Sequence, residues 1–417
     1  MQKTPHLPFF WTLTVLVFGA CASSAPLTDF PNGSASPAEA LDAPSTDFDT
    51  PSSGQEGSAE ASLDSLDALA LQLLREPTSA APTFDFVALI EATAEFSEAD
   101  SLSLPSERDR FNKVRMRSVE IHGQGAVGDY GTAYAVIDMA DGGAGSDFIL
   151  REAAAWLGGG PGELRFRAGK YFADIGAWNR VYPSTFPSPN LDGVRREFLG
   201  GNLAATGVEL HGGNAAEGFR WSTGLATDIE RQNANLPGNG TGSSVPYNRI
   251  GLKNWAASCR LQWGKPESFQ LGTSAWFSPG EVWTEGGETF ELQTALWNLD
   301  MQTPFLGGQL AGEFWMKDGE TEDSEGEEST TSMGYWGAWN KELGTNYSLG
   351  LLGSWWEHFK IEENAGHYYS GHFGYRLNED HRLRLSLSHD NPGADWQKYY
   401  AVGLQWIVEF GSPRPSF

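Results

Sequence analysis

The lengths of the connections between short alternating segments constrain this fold more than any other feature of the sequence. From Thr83 onwards, sixteen segments with β-strand character follow one another, and long connections alternate with short ones. The long stretch 173–202 precedes the short GNAAE at 213–217, and the long stretch 229–246 precedes the short GKPE at 264–267. A transmembrane barrel has tight turns at one end and loops that grow freely at the other. The alternation therefore predicts an all-β fold, a closed antiparallel barrel of about sixteen strands, because a soluble sandwich has no reason to keep one end trimmed.

The predicted strands also return both ends of the barrel to the side of the short turns, because their number is even. They lie near residues 83–94, 111–125, 130–139, 147–156, 163–172, 203–212, 218–228, 247–263, 268–278, 288–302, 307–317, 331–341, 346–358, 367–377, 381–389 and 397–410.

Alternation within single strands indicates which side chains face lipid. In ELRFRAG, Leu164 and Phe166 alternate with Arg165 and Arg167. Alternation alone would suit a half-buried soluble sheet equally well. Aromatic residues near the predicted short turns favour the barrel, because they would form a girdle at one membrane interface. They are Tyr130, Trp156, Phe219, Trp263, Phe269, Trp339 and Tyr347.

The first 21 residues are expected to be an export signal. The apolar stretch 7–20 has the length of a signal-peptide core and is too short to span a bilayer as a helix. Small residues before Cys21 make this a candidate lipoprotein signal, with Cys21 as the lipidated residue; the alternative is simple cleavage after Ala22 or Ala25. No later apolar run approaches the ~20 residues that a spanning helix needs. If the protein lies in a membrane, it must therefore lie there as a barrel.

Residues 22–80 are expected to form an acidic, flexible linker ahead of a barrel that occupies 81–417. The part from 22 to 62 is rich in Ser, Ala, Pro, Asp and Gly and has almost no aromatics, so it cannot bury enough apolar surface to fold. Leucines at helical spacing in 63–75 predict a short amphipathic helix that ends before Pro77. This helix is either a docking element or a marginal helix within a tether.

Charge and motifs exclude several classes of function. The net charge of −26 argues against nucleic-acid binding, and the acidic run at 318–328 indicates either surface solubility or collection of cations. The sequence has no G-x-S-x-G, H-E-x-x-H or P-loop motif, so we expect neither an enzyme nor a cofactor. His358, His367 and His372 surround one predicted outer loop, but their spacing matches no zinc-ligand pattern, and we predict no metal. The two cysteines of the chain, Cys21 and Cys259, give no disulfide framework.

Arginines are concentrated in the early strands and in the third long connection. We predict that six of them line the pore: Arg115, Arg117, Arg165, Arg167, Arg195 and Arg196. If the connection 173–202 folds into the lumen, these side chains would favour anions there. The alternative is a neutralised polar wall, in which arginines pair with Glu120, Glu152 and Glu163.

Three stretches resemble porin-like outer-membrane proteins, including the phosphate-selective porin O and P group. The first is 163–189, where a strand ends in a Gly-basic-aromatic step and enters a long loop. The second, 196–210, resembles the return from that loop, and the third, 403–417, resembles a closing strand with a terminal Phe. The matching residues of the first stretch are Gly169, Lys170, Tyr171, Phe172, Gly176 and Asn179.

The resemblance implies a porin-like channel in the outer membrane of a Gram-negative bacterium. Such a channel would allow passive diffusion of small solutes. The arginines in the pore would favour solutes that are anionic. Its partners would be outer-membrane lipid, the barrel assembly machinery and the solutes, with a homotrimer as the candidate assembly. Two alternatives stay open: a structural or adhesive envelope barrel without an open pore, and a secreted soluble β-sandwich that binds a ligand.

Overall fold

A computed structural model describes most of the predicted barrel. The described residues are 82–97, 113–128, 131–141, 146–158, 162–182, 186, 193–214, 217–232, 246–247, 255–265, 267–285, 288–323, 326–357, 365–391, 393 and 398–411. The predicted signal, the lipidation of Cys21, the linker with its helix at 63–75 and the terminal Phe417 lie outside these residues and stay predictions. Within the described part of the chain, no helix is both long enough and apolar enough to cross a membrane.

Almost every described residue belongs to a β-strand or to the turn that follows it. The strands are β1 Thr83–Ser97, β2 Lys113–Val127, β3 Gly131–Asp141, β4 Ser146–Gly158, β5 Gly162–Phe172, β6 Asn202–Asn214, β7 Phe219–Gln232, β8 Pro246–Tyr247, β9 Ala256–Gly264, β10 Gln270–Glu285, β11 Glu288–Phe305, β12 Gly308–Asp323, β13 Gly326–Leu343, β14 Tyr347–Glu357, β15 Ala365–Arg376, β16 His381–Asn391 and β17 Tyr399–Phe410. Within the described part of the chain, one helix, α1, spans Gly193–Leu199 between β5 and β6.

The sheet closes on itself. Each long strand pairs antiparallel with its neighbours in the chain, and β1 pairs with both β2 and β17. The two-residue β8 pairs only along the edge of β7, while β9 takes the next place in the ring beside β7. The ring therefore contains sixteen strands, which confirms the predicted closed antiparallel barrel.

All sixteen predicted segments coincide with strands, but one predicted loop is wrong. The acidic run at 318–328 lies within β12 and β13, which pair as far as Asp323 opposite Gly326. Glu322 therefore lies opposite Glu327 in an extended hairpin. Strand pairing satisfies the backbone hydrogen-bonding groups of this segment. The segment is therefore a strand hairpin, although its polar composition is typical of a loop.

The outward face of the barrel is apolar and the inward face is polar. On β16, Leu385 and Leu387 are 49% and 61% exposed, whereas Arg384 and Ser386 between them are buried inside. Trp263, Phe269 and Tyr347 are exposed near the short turns, as the predicted girdle requires. The prediction was wrong for Trp156, which is buried on the inward face of β4. Tyr130 lies outside the described residues.

Candidate functional site

The described residues of the third connection, which joins β5 to β6, lie inside the barrel. The connection leaves β5 after Phe172, and α1 near its end packs against the interior of β12 to β15. The ring of Phe198 on α1 lies 6.5 Å from that of Trp315 on β12. Gly193 lies so close to the indole of Trp356 on β14 that even a Cβ atom would overlap it. The segment therefore crosses the lumen from the wall where it begins to the opposite wall.

One buried carboxylate on the opposite wall fixes the start of this segment. The Oε1 atom of Glu313 accepts the backbone N–H groups of Ala177 at 2.7 Å and Trp178 at 3.1 Å. Its Oε2 atom accepts the indole N–H groups of Trp315 and Trp336, each at 2.9 Å. Four donors converge on a group that, when ionised, only accepts hydrogen bonds. Glu313 thus holds both the connection and the two indoles in one arrangement.

Neighbouring wall residues accept two further backbone donors of this stretch. The N–H of Asp174 donates to Glu209 on β6 at 3.1 Å, and the N–H of Gly176 donates to Ser274 on β10 at 2.8 Å. Asn179 clamps the two ends together, because its side chain donates to Ala173 O and accepts the N–H of Leu203. These backbone groups of the connection therefore have partners within the protein, as burial requires.

An apolar cluster adds to this polar anchoring. From the connection, Phe186, Val194, Phe198 and Leu199 are buried, and Trp178 packs against them. From the wall, Trp315, Trp336 and Trp356 complete the cluster, with the rings of Trp178 and Trp336 at 5.6 Å. Each fully buried aromatic side chain contributes roughly 1.5–3 kcal/mol by burial. The connection is therefore a packed element of the interior.

Charged groups gather around Asp174, at the beginning of the connection. Its Oδ1 atom lies 3.4 Å from the guanidinium nitrogens of Arg180 and Arg220 and 3.7 Å from that of Arg260. Arg260 also makes a bidentate pair with Asp300, at 2.7 and 2.9 Å. Burial alone would raise the pKa of Asp174, but the surrounding guanidinium groups hold that pKa well below its ordinary value. Asp174 is therefore stabilised in its ionised form by three guanidinium groups.

The predicted face of β5 is correct for both of its arginines. Leu164 is 52% exposed on the outside, whereas Arg167 is fully buried inside and pairs with Glu209. The guanidinium of Arg165 is only partly buried and lies 4.7 Å from the ring centroid of Trp156. Of these two, Arg165 is the one that solvent in the lumen can reach.

The other predicted pore-lining arginines differ in their surroundings. Arg117 is buried and pairs with Glu91 at 3.3 Å. Arg195 on α1 is buried over the ring of Phe186, at 4.4 Å. The backbones of Arg115 and Arg196 belong to β2 and α1, but their side chains are outside the described part of the structure. A pore-lining role for the six arginines stays a prediction.

The structure gives partners for three of the wall arginines. Arg117 pairs with Glu91, Arg151 with Asp138 and Arg167 with Glu209. Glu152 accepts the hydroxyl of Tyr182 and the backbone N–H of Phe172, and the side chain of Glu163 lies outside the described part of the structure. Cross-strand and loop contacts decided these pairs, and sequence proximity does not reveal them.

Two of the three histidines near the outer loop lie on opposite faces of β15. His372 is buried inside, whereas His367 is partly exposed and its ring stacks on that of His389 at 5.6 Å. His358 lies outside the described residues. Among the residues that the structure describes, no group of three or more metal-ligating side chains comes together.

Comparisons with known proteins identify the fold. The sequence matches no protein-family profile and no curated protein. Among solved structures, the anion-selective porin from Comamonas acidovorans covers 80% of this chain and 100% of its own, with a TM-score of 0.51 and 12% identity. OprB from Pseudomonas putida aligns over 83% of this chain and 97% of its own length, with a TM-score of 0.50 and 11% identity. The outer membrane channel DcaP of Acinetobacter baumannii aligns over 79% of this chain and 97% of its own length, with a TM-score of 0.51 and 11% identity. The barrel therefore has the fold of outer-membrane porins.

Proposed function

We propose that this protein is an outer-membrane channel whose third connection sets the width of the pore. The observation that carries the proposal is the anchored segment across the interior, held by Glu313 and by the aromatic cluster. The apolar outward face suits lipid, and a sixteen-strand ring is wide enough to enclose an aqueous passage beside that segment. Solutes would pass by diffusion, and we assign the protein no enzymatic activity.

Conductance of the purified barrel in planar bilayers tests this proposal. We expect discrete, stable current steps from the parent protein and several-fold larger steps when residues 177–199 are replaced by a short Gly-Ser linker. Slow heat-modified gel migration would verify that both barrels are folded. Folded parent and shortened barrels that both fail to conduct would contradict the proposal.

The proposed placement in the outer membrane has its own test. The chain should fractionate with outer membranes and resist extraction by carbonate, because only a closed barrel or a helix satisfies its backbone in lipid. Recovery from the soluble periplasm would contradict this placement and would favour a secreted β-protein. Membership of the phosphate-selective group and assembly as a homotrimer are further proposals, to be tested by solute competition and by crosslinking.

We also propose that the channel prefers small anions. The support is the inward direction of Arg165 and Arg167 and the position of Arg195 on the connection itself. One of the solved structures with this fold is described as an anion-selective porin. The reversal potential in a salt gradient should show modest anion preference and should shift when Arg165, Arg167, Arg195 and Arg196 are replaced by Gln. Cation preference of the parent would contradict this part.

A barrel without an open pore is the second candidate. Its support is the aromatic cluster, because Phe198, Trp315 and Trp356 are almost completely buried inside the barrel. A structural or adhesive envelope protein needs such a rigid interior and needs no passage. The bilayer recording separates the two candidates, because this second one predicts silence from the parent protein and conductance only after the connection is shortened.

A further inference from the structure

Charge inside the barrel is layered near its short-turn end, with the acids behind the cations. Asp174 and Asp300 are 1% and 3% exposed at their side chains, and Glu209 is completely buried. The side chains of Arg180 and Arg220 are 19% and 15% exposed. Solvent in this part of the lumen therefore meets guanidinium groups whose counter-ions lie beneath them.

Arg165 extends this cationic surface along the wall. It lies opposite His211 in the pairing of β5 with β6, and the ring of His211 lies within 4.0 Å of Asp174. In the described part of the chain Arg165 contacts the ring of Trp156 and no carboxylate. No described carboxylate thus neutralises its charge, and Trp156 holds the guanidinium plane in place.

One buried nitrogen in this group also lacks a partner. The Nη1 atom of Arg180 is buried, and its N–H groups donate to no acceptor among the residues that the structure describes. A buried N–H without an acceptor is unfavourable, so this nitrogen still has the capacity to donate to a further acceptor. The neighbouring Asp174 is already surrounded by Arg220, Arg260 and Ser222.

We propose that Arg165, Arg180 and Arg220 form a binding subsite for a small oxyanion, entered from the short-turn mouth of the barrel. The N–H groups of a guanidinium donate paired hydrogen bonds to the oxygens of carboxylate, sulfate and phosphate groups. These anions therefore share the chemistry that such a subsite recognises. Lumen walls of low dielectric strengthen the attraction. The subsite builds on the proposed channel function by naming the chemical class of the solute and the place where it pauses.

Calorimetric titration of the folded barrel in detergent with sodium sulfate tests the subsite without requiring conduction. We expect saturable binding by the parent and about tenfold weaker binding by Arg165→Gln and by Arg220→Gln, since each removes a charge-assisted hydrogen bond. Arg382→Gln is the matched control, because Arg382 also faces inward near the short turns but pairs with Glu409 at 2.5 Å. Its sulfate affinity should equal that of the parent.

Separate titrations with inorganic phosphate and acetate at equal ionic strength identify which oxyanion fits best. If Arg220→Gln fails to fold, Arg165→Gln still decides, because no described carboxylate depends on Arg165. Absence of saturable binding of all three anions by the parent, or equal weakening by Arg382→Gln, would overturn the proposal. A barrel that conducts without binding would contradict the subsite alone, whereas one that binds without conducting would contradict only the channel.

Discussion

Glu313 is the residue on which the position of the third connection most depends. A Gln at this position keeps the shape but presents an N–H₂ group to two of the four donors, and each unsatisfied donor costs about 1–3 kcal/mol. We therefore expect Glu313→Gln to loosen the connection, with noisier and larger currents in planar bilayers. It should also unfold at a lower urea concentration, as measured by heat-modified gel migration.

Glu409→Gln is the control for that experiment. Glu409 pairs with Arg382 near the short turns, and its side chain is 21% exposed. This variant should keep the current noise of the parent protein. If Glu313→Gln shows the same current noise as the parent protein and Glu409→Gln, Glu313 does not hold the connection.

Single residues show which part of the site the sequence could reveal. The inward direction of Arg165 and Arg167 follows from alternation with Leu164 and Phe166, and it was predicted correctly. The role of Glu313 was missed, although alternation with Phe314 places it inside. Its partner Ala177 is 136 residues away in the chain. Only the closed ring brings such distant residues together, so strand periodicity gives the face and not the contact.

At the scale of elements, α1 depends on a close approach to β14. A Cβ atom at Gly193 would overlap the indole of Trp356, which is completely buried and cannot retreat. We expect Gly193→Ala to displace α1 and destabilise the barrel by about 1–3 kcal/mol. Conductance and urea denaturation measure the effect.

Gly337→Ala is the corresponding control, because the atom nearest to its added Cβ would be Ala311 O at 3.9 Å. It should match the parent in both measurements. Equal behaviour of the two alanine variants would show that the contact between α1 and β14 is not tight.

The cluster around Asp174 predicts how the connection responds to acid. Because the folded-state pKa of Asp174 lies below the unfolded value of about 3.9, its contribution is complete above that pH and is lost as pH falls through the folded pKa. Between pH 7 and pH 5, the contribution of Asp174 to the free energy of unfolding, measured for the parent in urea, should therefore stay constant. Asp174→Asn should be destabilised by about 3–5 kcal/mol at both pH values, because it leaves buried cations unpaired.

A difference between the parent and Asp174→Asn that shrinks between pH 7 and pH 5 would contradict this assignment. It would mean that Asp174 already takes up a proton in that range.

The elements also differ in how well the sequence predicted them. All sixteen ring strands were recognised, because alternation and turn length recur in each hairpin. The helix α1 was missed: its seven residues, GVRREFL, carry no acidic residue in the first turn and are too few to be stable alone. Packing against β12 to β15 stabilises it, and a local pattern does not contain that information.

For the molecule as a whole, the direction of the barrel's faces should govern its stability. Leu385 faces outward near the middle of β16. Leu385→Arg should cost about 2–4 kcal/mol if that position lies near the bilayer midplane. Tyr347→Arg, at the start of β14 beside a short turn, should cost only about 0–1 kcal/mol. Urea titration of barrels folded into vesicles measures both, and equal costs would contradict the assigned membrane position.

The overall architecture was the most predictable level, because a chain without a spanning helix has few ways to cross lipid. The filling of the lumen was the least predictable. Which residues of the third connection meet which wall depends on ring closure, as the pairing of Trp178 with Trp336 illustrates.

The hairpin of β12 and β13 continues beyond the apolar band. Asp318 and Thr331 face outward and are joined by a hydrogen bond of 3.2 Å, and pairing then continues from Asp318 to Asp323. At about 3.4 Å per residue, this adds roughly 17 Å of paired strand above that level. In the proposed outer-membrane placement, a foreign peptide inserted at 324–325 would be carried by this paired extension at the end opposite the short turns. The barrel would then serve as a scaffold that displays epitopes outside the membrane.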